Sequence, residues 1–484
     1  MNLKMVVQTI GRMFMLLAAL MVLPLVCAMI YGEWHTVTSF TYPILGSLVA
    51  GFALTRFVKV KNPVIYAKEG FAIVTLAWLT VSAVGALPFV ISGGIPSYVD
   101  AFFETVSGLT TTGASLLENV EALDHGLLFW RSFTHWIGGM GVLVFIMAIV
   151  PNVSDRSIHI LRAEMPGPVV GKLVPRLKDT AKILYLLYIA LTVLEVIMLL
   201  LGGMPLFDSL VHSFGTAGTG GFGIRSDSIA SYSPYLQWVI GVFMLLFGIN
   251  FNLYYLILIG RVKEVFKSTE LYVYLGIVLS ATTIFTVNTY HLFNNLPETI
   301  RTAFFQTASL LTTTGYATTD FNQWPGLSRG LVFLLLFSGG CAGSTAGGLK
   351  LARVILLFKQ SFRDFVRMAH PRSVKRIHME GKSTDEATVA GVSSYFGLYM
   401  ICILFCFLLL SLFDPQLDFE TQLTASVSCF NNVGPGLSLV GPCGNYAMYS
   451  AWSKLVLSAA MLLGRLEIYP LILAFLPSTW RRER

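Results

Sequence analysis

The five residues LTTTG occur at positions 109–113 and again at positions 311–315. Each copy follows a short amphipathic stretch of about 12 residues, which is too short to cross a bilayer. Two related turns, GTGGF at 218–222 and NNVGP at 431–435, follow stretches of the same kind. The order of apolar run, short helix, turn and apolar run therefore occurs four times. Such an internal repeat indicates the architecture more strongly than any single motif.

The composition indicates an integral membrane protein. Charged residues make up 12% of the 484 residues, whereas soluble domains contain about 25%. Hydrophobic residues make up 55%, and the mean hydropathy is +0.70. A soluble core does not need this much apolar surface, but a membrane-spanning helix needs about 20 mostly apolar residues. The composition therefore speaks against a soluble enzyme.

Ten apolar runs are each long enough to cross the hydrocarbon core of a bilayer. They lie near residues 12–31, 37–55, 70–93, 128–151, 183–203, 236–260, 271–292, 331–358, 388–413 and 453–477. The first two precede the repeated pattern, and the other eight flank its four turns. We therefore predict an all-α integral membrane fold: two N-terminal helices plus four pseudo-repeated helix–pore-helix–filter–helix units around one central pore.

Lysine and arginine are concentrated in alternate connections between the runs. The basic connections are residues 56–68, 156–178, 261–267 and 359–382, and Arg481, Arg482 and Arg484 end the chain. By the positive-inside rule, this pattern predicts ten full spans with both termini in the cytoplasm. The orientation signal is one sufficient reason for these basic connections, and a docking surface for an acidic partner is the second interpretation.

Three glycines of the second turn also match a dinucleotide-binding motif. Gly218, Gly220 and Gly223 have the spacing G-x-G-x-x-G. A dinucleotide loop needs a preceding strand, a soluble helix after it and an acidic residue about 20 positions further on. Here a short helical stretch precedes the glycines and a membrane run follows them, and Asp227 is the only acidic residue from Ile224 to Asn250. The pattern therefore favours a turn at membrane depth over a nucleotide site.

Four such turns can together bind a cation. Non-helical backbone at membrane depth is tolerated where protein buries it or a water-filled path adjoins it. A short helix that ends there directs about half an elementary negative charge towards the turn. Glycine adopts positive φ without steric strain, so successive carbonyl oxygens can face one axis and replace the hydration shell of an ion. Neutral oxygens suit a monovalent cation, because divalent sites usually include carboxylates.

The predicted filter takes three residues from each turn. They are Thr111, Thr112 and Gly113; Thr219, Gly220 and Gly221; Thr313, Thr314 and Gly315; and Asn432, Val433 and Gly434. The second segment has glycine where the first and third have threonine, so the four quarters are not equivalent. The alternative interpretation is that these glycines only terminate re-entrant helices.

The eighth apolar run contains the glycine-rich stretch GGCAGSTAGGLK, residues 339–350. Five glycines within twelve residues should interrupt a helix. The spacing from Gly343 mimics a phosphate-binding loop, but Leu349 precedes Lys350 and no serine or threonine follows, so we expect no phosphate site. The remaining interpretations are a kinked helix or a flexible segment beneath the filter. We expect Lys350 to lie near the inner surface.

Arg465 lies deep in the tenth apolar run. A charge there is unfavourable by at least ~2.5 kcal/mol and usually faces a cavity or a partner. One interpretation places Arg465 beside the ion path below the filter; the other places it in an ion pair with another helix. We expect Glu104 to be structural, accepting hydrogen bonds from backbone near the filter. His125, His135 and His212 do not have the spacing of metal ligands, so no metal other than a conducted cation is predicted.

Together these motifs resemble the Trk/Ktr/HKT superfamily of potassium transporters, most closely its bacterial TrkH/TrkG type. The resemblance covers essentially the full length. The motifs that carry it are SGLTTTGAS (107–115), RAEMPGP (162–168), HSFGTAGTGGFG (212–223), LLTTTGYAT (310–318), GGCAGSTAGGLK (339–350), FNNVGPG (430–436) and LGRLEIYP (463–470).

The resemblance implies a potassium-uptake subunit of the bacterial inner membrane that conducts K⁺, and also Rb⁺ and some Na⁺. It implies a homodimer surrounded by lipid, with a cytosolic TrkA-type RCK ring as partner. The regulatory nucleotide, NAD or ATP/ADP, is expected on that partner, so this chain is expected to bind no cofactor and no nucleic acid.

The resemblance also implies a gate in the pore. The gating loop comprises Gly339, Gly340, Gly343, Ser344, Thr345, Gly347, Gly348 and Lys350, and Arg465 is the pore barrier if the first of its two interpretations holds. The expected divisions are the N-terminal helices at 1–68, pore repeat 1 at 69–152, repeat 2 at 153–268, repeat 3 with the gating loop at 269–386 and repeat 4 at 387–484.

Two other functions are weighed against conduction. A K⁺ symporter coupled to H⁺ or Na⁺ would need a titratable group deep in a span near the filter, for which the sequence offers Glu104 and Glu467. An intramembrane enzyme would need a catalytic motif, and the sequence contains neither H-E-x-x-H nor G-x-S-x-G. We therefore predict that the protein is not an enzyme.

Overall fold

Helices dominate the chain, and their bounds follow the apolar runs closely in most places. The computed structural model describes residues 3–58, 60, 67–139, 141, 177–372 and 375–480. The predicted span at 128–151 is therefore described only in its first half. The motif at 162–168, most of the basic connection at 156–178 and the terminal arginines lie outside the described residues.

The helices of the first half are α1 (Leu3–Ile30), α2 (Trp34–Phe57), α3 (Ala67–Gly85), α4 (Leu87–Ile91), α5 (Tyr98–Leu109), α6 (His125–Gly139), α7 (Leu177–Leu201), α8 (Leu206–Gly218), α9 (Pro234–Phe247), α10 (Phe251–Leu258) and α11 (Val262–Val265). Those of the second half are α12 (Thr269–Phe293), α13 (Leu296–Leu311), α14 (Gly326–Phe337), α15 (Leu351–Ala369), α16 (Glu386–Phe413), α17 (Phe419–Asn431), α18 (Ala451–Arg465), α19 (Tyr469–Phe475) and α20 (Pro477–Trp480). A hairpin of β1 (His378–Met379) and β2 (Lys382–Ser383) follows α15.

Six of the described helical segments are long and apolar enough to cross a membrane, and two bent helix pairs raise the number to eight. The six are α1, α2, α3 with α4, α7, α12 and α16. The bent pairs are α9 with α10, at 89°, and α18 with α19, at 119°. The chain is thus a multi-pass membrane protein, and the sixth and tenth predicted runs are bent rather than straight.

The eighth predicted span is not one helix. α14 ends at Phe337 and α15 begins at Leu351. Between them Gly343 has a φ of +75° and Gly348 a φ of +68°, and these left-handed conformations cannot continue a right-handed helix. The prediction of ten full spans is therefore wrong at residues 331–358, where the glycines produce a complete break. We call residues 338–350 the glycine segment.

Four short helices end directly before the predicted filter turns. They are α5, α8, α13 and α17, with 12, 13, 16 and 13 residues. Their starts have local signals: Ser97 caps α5, Asp418 caps α17, and prolines stand at the starts of α8 and α13. At 1.5 Å per residue such helices reach only about 20 Å, so they bring their C-terminal ends into the interior without crossing it.

Large apolar side chains cover the outside of the long helices. On α16 the exposed fractions are 64% for Ile401, 60% for Phe405 and 61% for Leu408. In water such a surface would be unfavourable, whereas lipid tails solvate it. Many polar groups instead lie inside, where the C-terminal halves of the short helices are buried.

Candidate ion-conduction site

The four predicted filter segments contact one another in a closed ring. In each segment the last glycine lies against the carbonyl oxygen of the middle residue of another segment. A Cβ atom at the glycine would stand 1.9 to 2.6 Å from that oxygen. The pairs are Gly113 with Gly220, Gly221 with Thr314, Gly315 with Val433, and Gly434 with Thr112. The contacts run from the first segment to the second, third and fourth and back to the first, so the four turns surround one axis.

The backbone of all four segments has the same unusual conformation. The first residue of each is left-handed, with φ of 56° at Thr111, 55° at Thr219, 56° at Thr313 and 55° at Asn432. The closing glycine is left-handed as well, with φ between 77° and 100°. A left-handed conformation is unfavourable by about 1–2 kcal/mol for a residue other than glycine. Its occurrence at three threonines and one asparagine shows that surrounding contacts hold these turns in place.

A polar cavity lies against the glycine ends of the filter segments. It has a volume of about 170 Å³. Gly113, Gly221, Gly315 and Gly434 all line it, together with charged residues such as Glu118 and Arg225. Each of the four turns therefore opens into the same space.

The glycine segment covers the other end of the filter. The Gly347 N–H donates a 2.7 Å hydrogen bond to Thr313 Oγ1. A Cβ atom at Gly347 would stand 2.7 Å from the Asn431 carbonyl oxygen. The backbone of the segment thus presses against the beginnings of the third and fourth filter segments, on the side away from the cavity.

Two buried oxygens at this end have no hydrogen-bond donor within the described part of the chain. They are Thr111 Oγ1 and Asn432 Oδ1. The Asn432 amide nitrogen is satisfied, because it donates to Thr112 Oγ1 and the Met461 carbonyl, each at 3.0 Å. A buried polar oxygen without a donor is unfavourable, and a dehydrated cation is a group that such an oxygen can bind. The residues present therefore fit a K⁺ ion as cargo.

Arg465 attaches the glycine segment to two helices. Its guanidinium donates to the Thr345 carbonyl at 3.0 Å, and to the carbonyls of Gly138 and Gly139 at 2.5 and 3.1 Å. The nearby ion pair belongs to Glu467, which binds Arg353 of α15. Arg465 thus lies beside the glycine segment, at the end of the filter that this segment covers.

A carboxylate joins the glycine segment to the first turn of α15. Glu270 Oε1 accepts the N–H of Ala342 at 2.7 Å and the N–H of Ala352 at 2.9 Å. Lys350 Nζ donates to the Ala346 carbonyl within the segment. Lys350 is only 2% exposed, because its ammonium folds back into the segment that carries it.

On the cavity side, Glu104 connects the first two filter regions. It accepts hydrogen bonds from Ser115 Oγ at 2.9 Å, Leu116 N at 3.0 Å and Arg131 Nε at 2.6 Å. Arg131 in turn donates to the Gly223 carbonyl at 2.9 Å. These contacts agree with the structural role expected for Glu104. Sequence reasoning missed Arg131, because one arginine near the start of a predicted span indicates no partner.

Glu195 was also missed. It lies on α7, is completely buried, and neither carboxylate oxygen has a hydrogen-bond partner in the described part of the chain. It lies close to Thr216 of α8, whose hydroxyl donates to the His212 carbonyl instead. The sequence did contain one indication of its importance, because Glu195 is the only charged residue of the apolar run 183–203.

The three histidines do not converge. His125 pairs with Glu33 at 2.9 Å, His212 contacts Tyr232 at 3.1 Å, and His135 contacts the Gly108 carbonyl at 2.7 Å. Among the described residues, no group of three or more His, Cys, Asp or Glu is arranged to hold a metal ion.

Comparison with known proteins places this geometry in a family. The family model TrkH, described as "Cation transport protein", matches residues 44–482. The Trk system potassium uptake protein TrkH of Salmonella typhimurium is 36% identical over 487 residues, covering 99% of this chain and all of the relative. The Trk system potassium uptake protein TrkG of Escherichia coli is 34% identical, with 99% of each chain covered. The crystal structure of the potassium transporter TrkH from Vibrio parahaemolyticus superposes with a TM-score of 0.89 at 31% identity, covering 99% of this chain and 100% of that one.

Proposed function

The chain belongs to the TrkH family of cation transport proteins, and from that premise we propose that it takes up potassium by conducting K⁺ through the ring of four filter segments. The predicted family and the predicted fold class, a helical membrane transporter, are confirmed by the family match and the superposition. Because its relatives are membrane transport proteins, the chain is not an enzyme. The detailed arrangement of four repeats, with the divisions 1–68, 69–152, 153–268, 269–386 and 387–484, is part of the proposal.

The closed ring of glycine-to-carbonyl contacts supports the proposal more than any other observation. We assign the twelve predicted filter residues as the K⁺ site. Their carbonyl oxygens, with the threonine hydroxyls, replace the water around the ion. The left-handed residues at both ends of each segment let the carbonyl oxygens face the same way. Once the ion has lost its water, an inward-negative membrane potential contributes ~2.3 kcal/mol per charge per 100 mV to its entry.

We assign the glycine segment as the gate, with the predicted residues Gly339, Gly340, Gly343, Ser344, Thr345, Gly347, Gly348 and Lys350. The segment lies against the filter at Thr313, and Arg465 and Glu270 hold it there. Arg465 serves as the barrier because its positive charge repels a cation at the filter exit. Conduction then requires the segment to move away from Thr313.

The assembly is proposed on the same premise. The relatives are named as parts of a Trk system, which supports the presence of partner subunits. We propose that the chain forms a homodimer and that its partner is a cytosolic TrkA-type RCK ring that binds NAD or ATP/ADP. The basic connections support an inner-membrane location with both termini cytoplasmic. Rb⁺ and some Na⁺ should pass as well, because the four filter segments differ in their side chains.

Flux into liposomes tests the proposal. The purified protein, reconstituted without any partner, should take up ⁸⁶Rb⁺ when an inward-negative potential is imposed, and unlabelled K⁺ should compete with it. Bilayer recording with K⁺ on one side and Na⁺ on the other should show a reversal potential set by K⁺. Uptake no greater than that of empty vesicles, at any imposed potential, would contradict the proposal.

A further inference from the structure

His135 lies directly behind the second filter segment. It belongs to α6 and is completely buried. Its Nδ1 lies 2.7 Å from the carbonyl oxygen of Gly108, near the end of the short helix α5. Its Nε2 lies 3.2 Å from the backbone nitrogen of Phe222, the residue after Gly221. One imidazole therefore connects the first short helix to the second filter segment.

These two contacts determine where the proton of the imidazole is. A carbonyl oxygen can only accept a hydrogen bond, so Nδ1 must carry a hydrogen and donate it to Gly108. A backbone N–H can only donate, so Nε2 must be unprotonated and accept from Phe222. Only the neutral tautomer with the proton on Nδ1 satisfies both.

The same ring explains why the second segment departs from the pattern of the first and third. A Cβ atom at Gly220 would stand 2.3 Å from His135 Nδ1, 2.4 Å from Cγ and 2.6 Å from Cε1. Gly220 does not have the positive φ of Gly221, so its backbone conformation does not require glycine. The space that a side chain would need is filled by the imidazole.

The first and third segments are held in another way. Thr112 occupies the position of Gly220 in the first segment, and its hydroxyl lies 2.8 Å from that of Thr110. Thr314 and Thr312 repeat this contact at 2.7 Å in the third segment. Each threonine pair ties a filter segment to the end of its own short helix. The second segment has glycine at this position and therefore cannot make such a tie.

We infer that His135 is a positioning residue of the filter: its neutral imidazole replaces the missing threonine tie and holds the second segment in the geometry that selects K⁺. This inference rests on the proposed function. The imidazole and Gly220 form a matched pair, because the ring fits only where the filter residue has no side chain. The choice of glycine at 220 thus follows from a histidine 85 positions earlier in the chain.

The pairing of His135 with Gly220 can be tested with single and double variants at these two positions. Gly220→Thr alone should abolish K⁺ flux, because the threonine side chain collides with the ring. The double variant His135→Ala with Gly220→Thr removes the collision, but Gly218 stands where the first segment has Thr110 and offers no hydroxyl to the new threonine. Flux should therefore return to about the level of His135→Ala alone. A double variant as inactive as Gly220→Thr, or a Gly220→Thr variant as active as the wild type, would overturn the inference.

Selectivity provides a second readout. His135→Leu removes both hydrogen bonds and should reduce the K⁺/Na⁺ permeability ratio about fivefold or more, since one hydrogen bond contributes roughly a factor of five. His135→Gln keeps one donor and one acceptor and should stay within about twofold of the wild type. His125→Gln, at a half-exposed site, is the matched control. A His135→Leu ratio equal to that of the wild type contradicts the positioning role.

Folding and function can be separated in these experiments. Each variant is first compared with the wild type by gel filtration in detergent. If His135→Leu does not fold, His135→Gln and the double variant still test the positioning role, because in both a side chain occupies the space between α6 and the second filter segment. A wild-type protein without K⁺ flux would refute the proposed function, whereas an active wild type with unaffected His135 variants would refute this inference alone.

Discussion

The guanidinium of Arg465, at the end of α18, donates a 3.0 Å hydrogen bond to the carbonyl oxygen of Thr345 in the glycine segment. The same side chain reaches the carbonyls of Gly138 and Gly139. One cation therefore joins the proposed gate to the end of α6.

Replacing Arg465 by glutamine should raise K⁺ flux. The change removes a positive charge from the ion path and hydrogen bonds that hold the gate. Hydrogen bonds to charged groups contribute about 1.5–3 kcal/mol each, so an increase of about tenfold or more is expected in ⁸⁶Rb⁺ uptake. Arg329→Gln is the control, because Arg329 is 36% exposed in its pair with Glu420. Unchanged or lower flux in a folded Arg465→Gln protein would refute the barrier role.

Replacing Gly315 by alanine should abolish K⁺ conduction. Gly315 has a φ of +82°, and a Cβ atom would stand 2.2 Å from the Val433 carbonyl oxygen, one of the oxygens assigned to the ion. The alanine must displace that carbonyl and break the ring. Gly330→Ala on α14 is the matched control, because nothing lies within 4 Å of its Cβ position. Wild-type flux in Gly315→Ala would show that the ring is not the conducting site.

Removing Glu104 should destabilise the protein strongly. Glu104 and Arg131 form an ion pair in which the side chains are 0% and 3% exposed. Deleting one partner leaves an uncompensated buried charge, an effect of about 3–5 kcal/mol. We expect the thermal unfolding temperature of Glu104→Ala in detergent to fall clearly below that of Glu420→Ala, whose exposed ion pair contributes about 0–1 kcal/mol.

A double-mutant cycle with Arg131→Met isolates the interaction between Glu104 and Arg131. The double variant should be more stable than Glu104→Ala alone, because no unpaired charge remains buried. Equal unfolding temperatures for Glu104→Ala and Glu420→Ala would contradict the buried-pair argument.

Changing Glu195 to glutamine distinguishes conduction from coupled transport. Glu195 is buried near the second short helix without a hydrogen-bond partner in the described part of the chain. Glutamine has nearly the same shape as the carboxyl group but cannot exchange a proton. We expect Glu195→Gln to conduct like the wild type, with a reversal potential that ignores a pH gradient in both proteins. A wild-type reversal potential that follows the pH gradient, and a variant in which this dependence is lost, would instead favour H⁺-coupled symport through Glu195.

Much of the fold could be predicted because it depends on local composition. Apolar runs indicate spans, and short amphipathic stretches before glycine turns indicate re-entrant helices. The ten runs located most of the helices, and the five glycines indicated an interruption in the eighth, but they could not give its extent over residues 338–350 or show that the tenth bends by 119° near Arg465. Such breaks depend on which neighbours accept and donate the hydrogen bonds that a helix gives up.

The candidate site was predictable only in part, for the same reason. The four turns were recognised because each repeats the others in sequence, but their order around one axis is a property of the folded chain. Arg131 and Glu104 lie 27 residues apart, and Arg465 and Thr345 lie 120 apart. Nothing in the neighbourhood of either arginine indicates its partner.

By itself the sequence determined that this protein lies in a membrane, that four turns follow its short helices and that a glycine closes three of these turns in the same way as the fourth. The free energy of transfer into the membrane and the backbone sterics depend on each stretch separately, so they can be inferred from local composition and spacing. Only the tertiary structure decided that Gly220 faces the ring of His135, that Lys350 is buried and that the glycine segment lies against Thr313. Those facts depend on contacts between distant parts of the chain, because in a closely packed interior two side chains cannot occupy the same space.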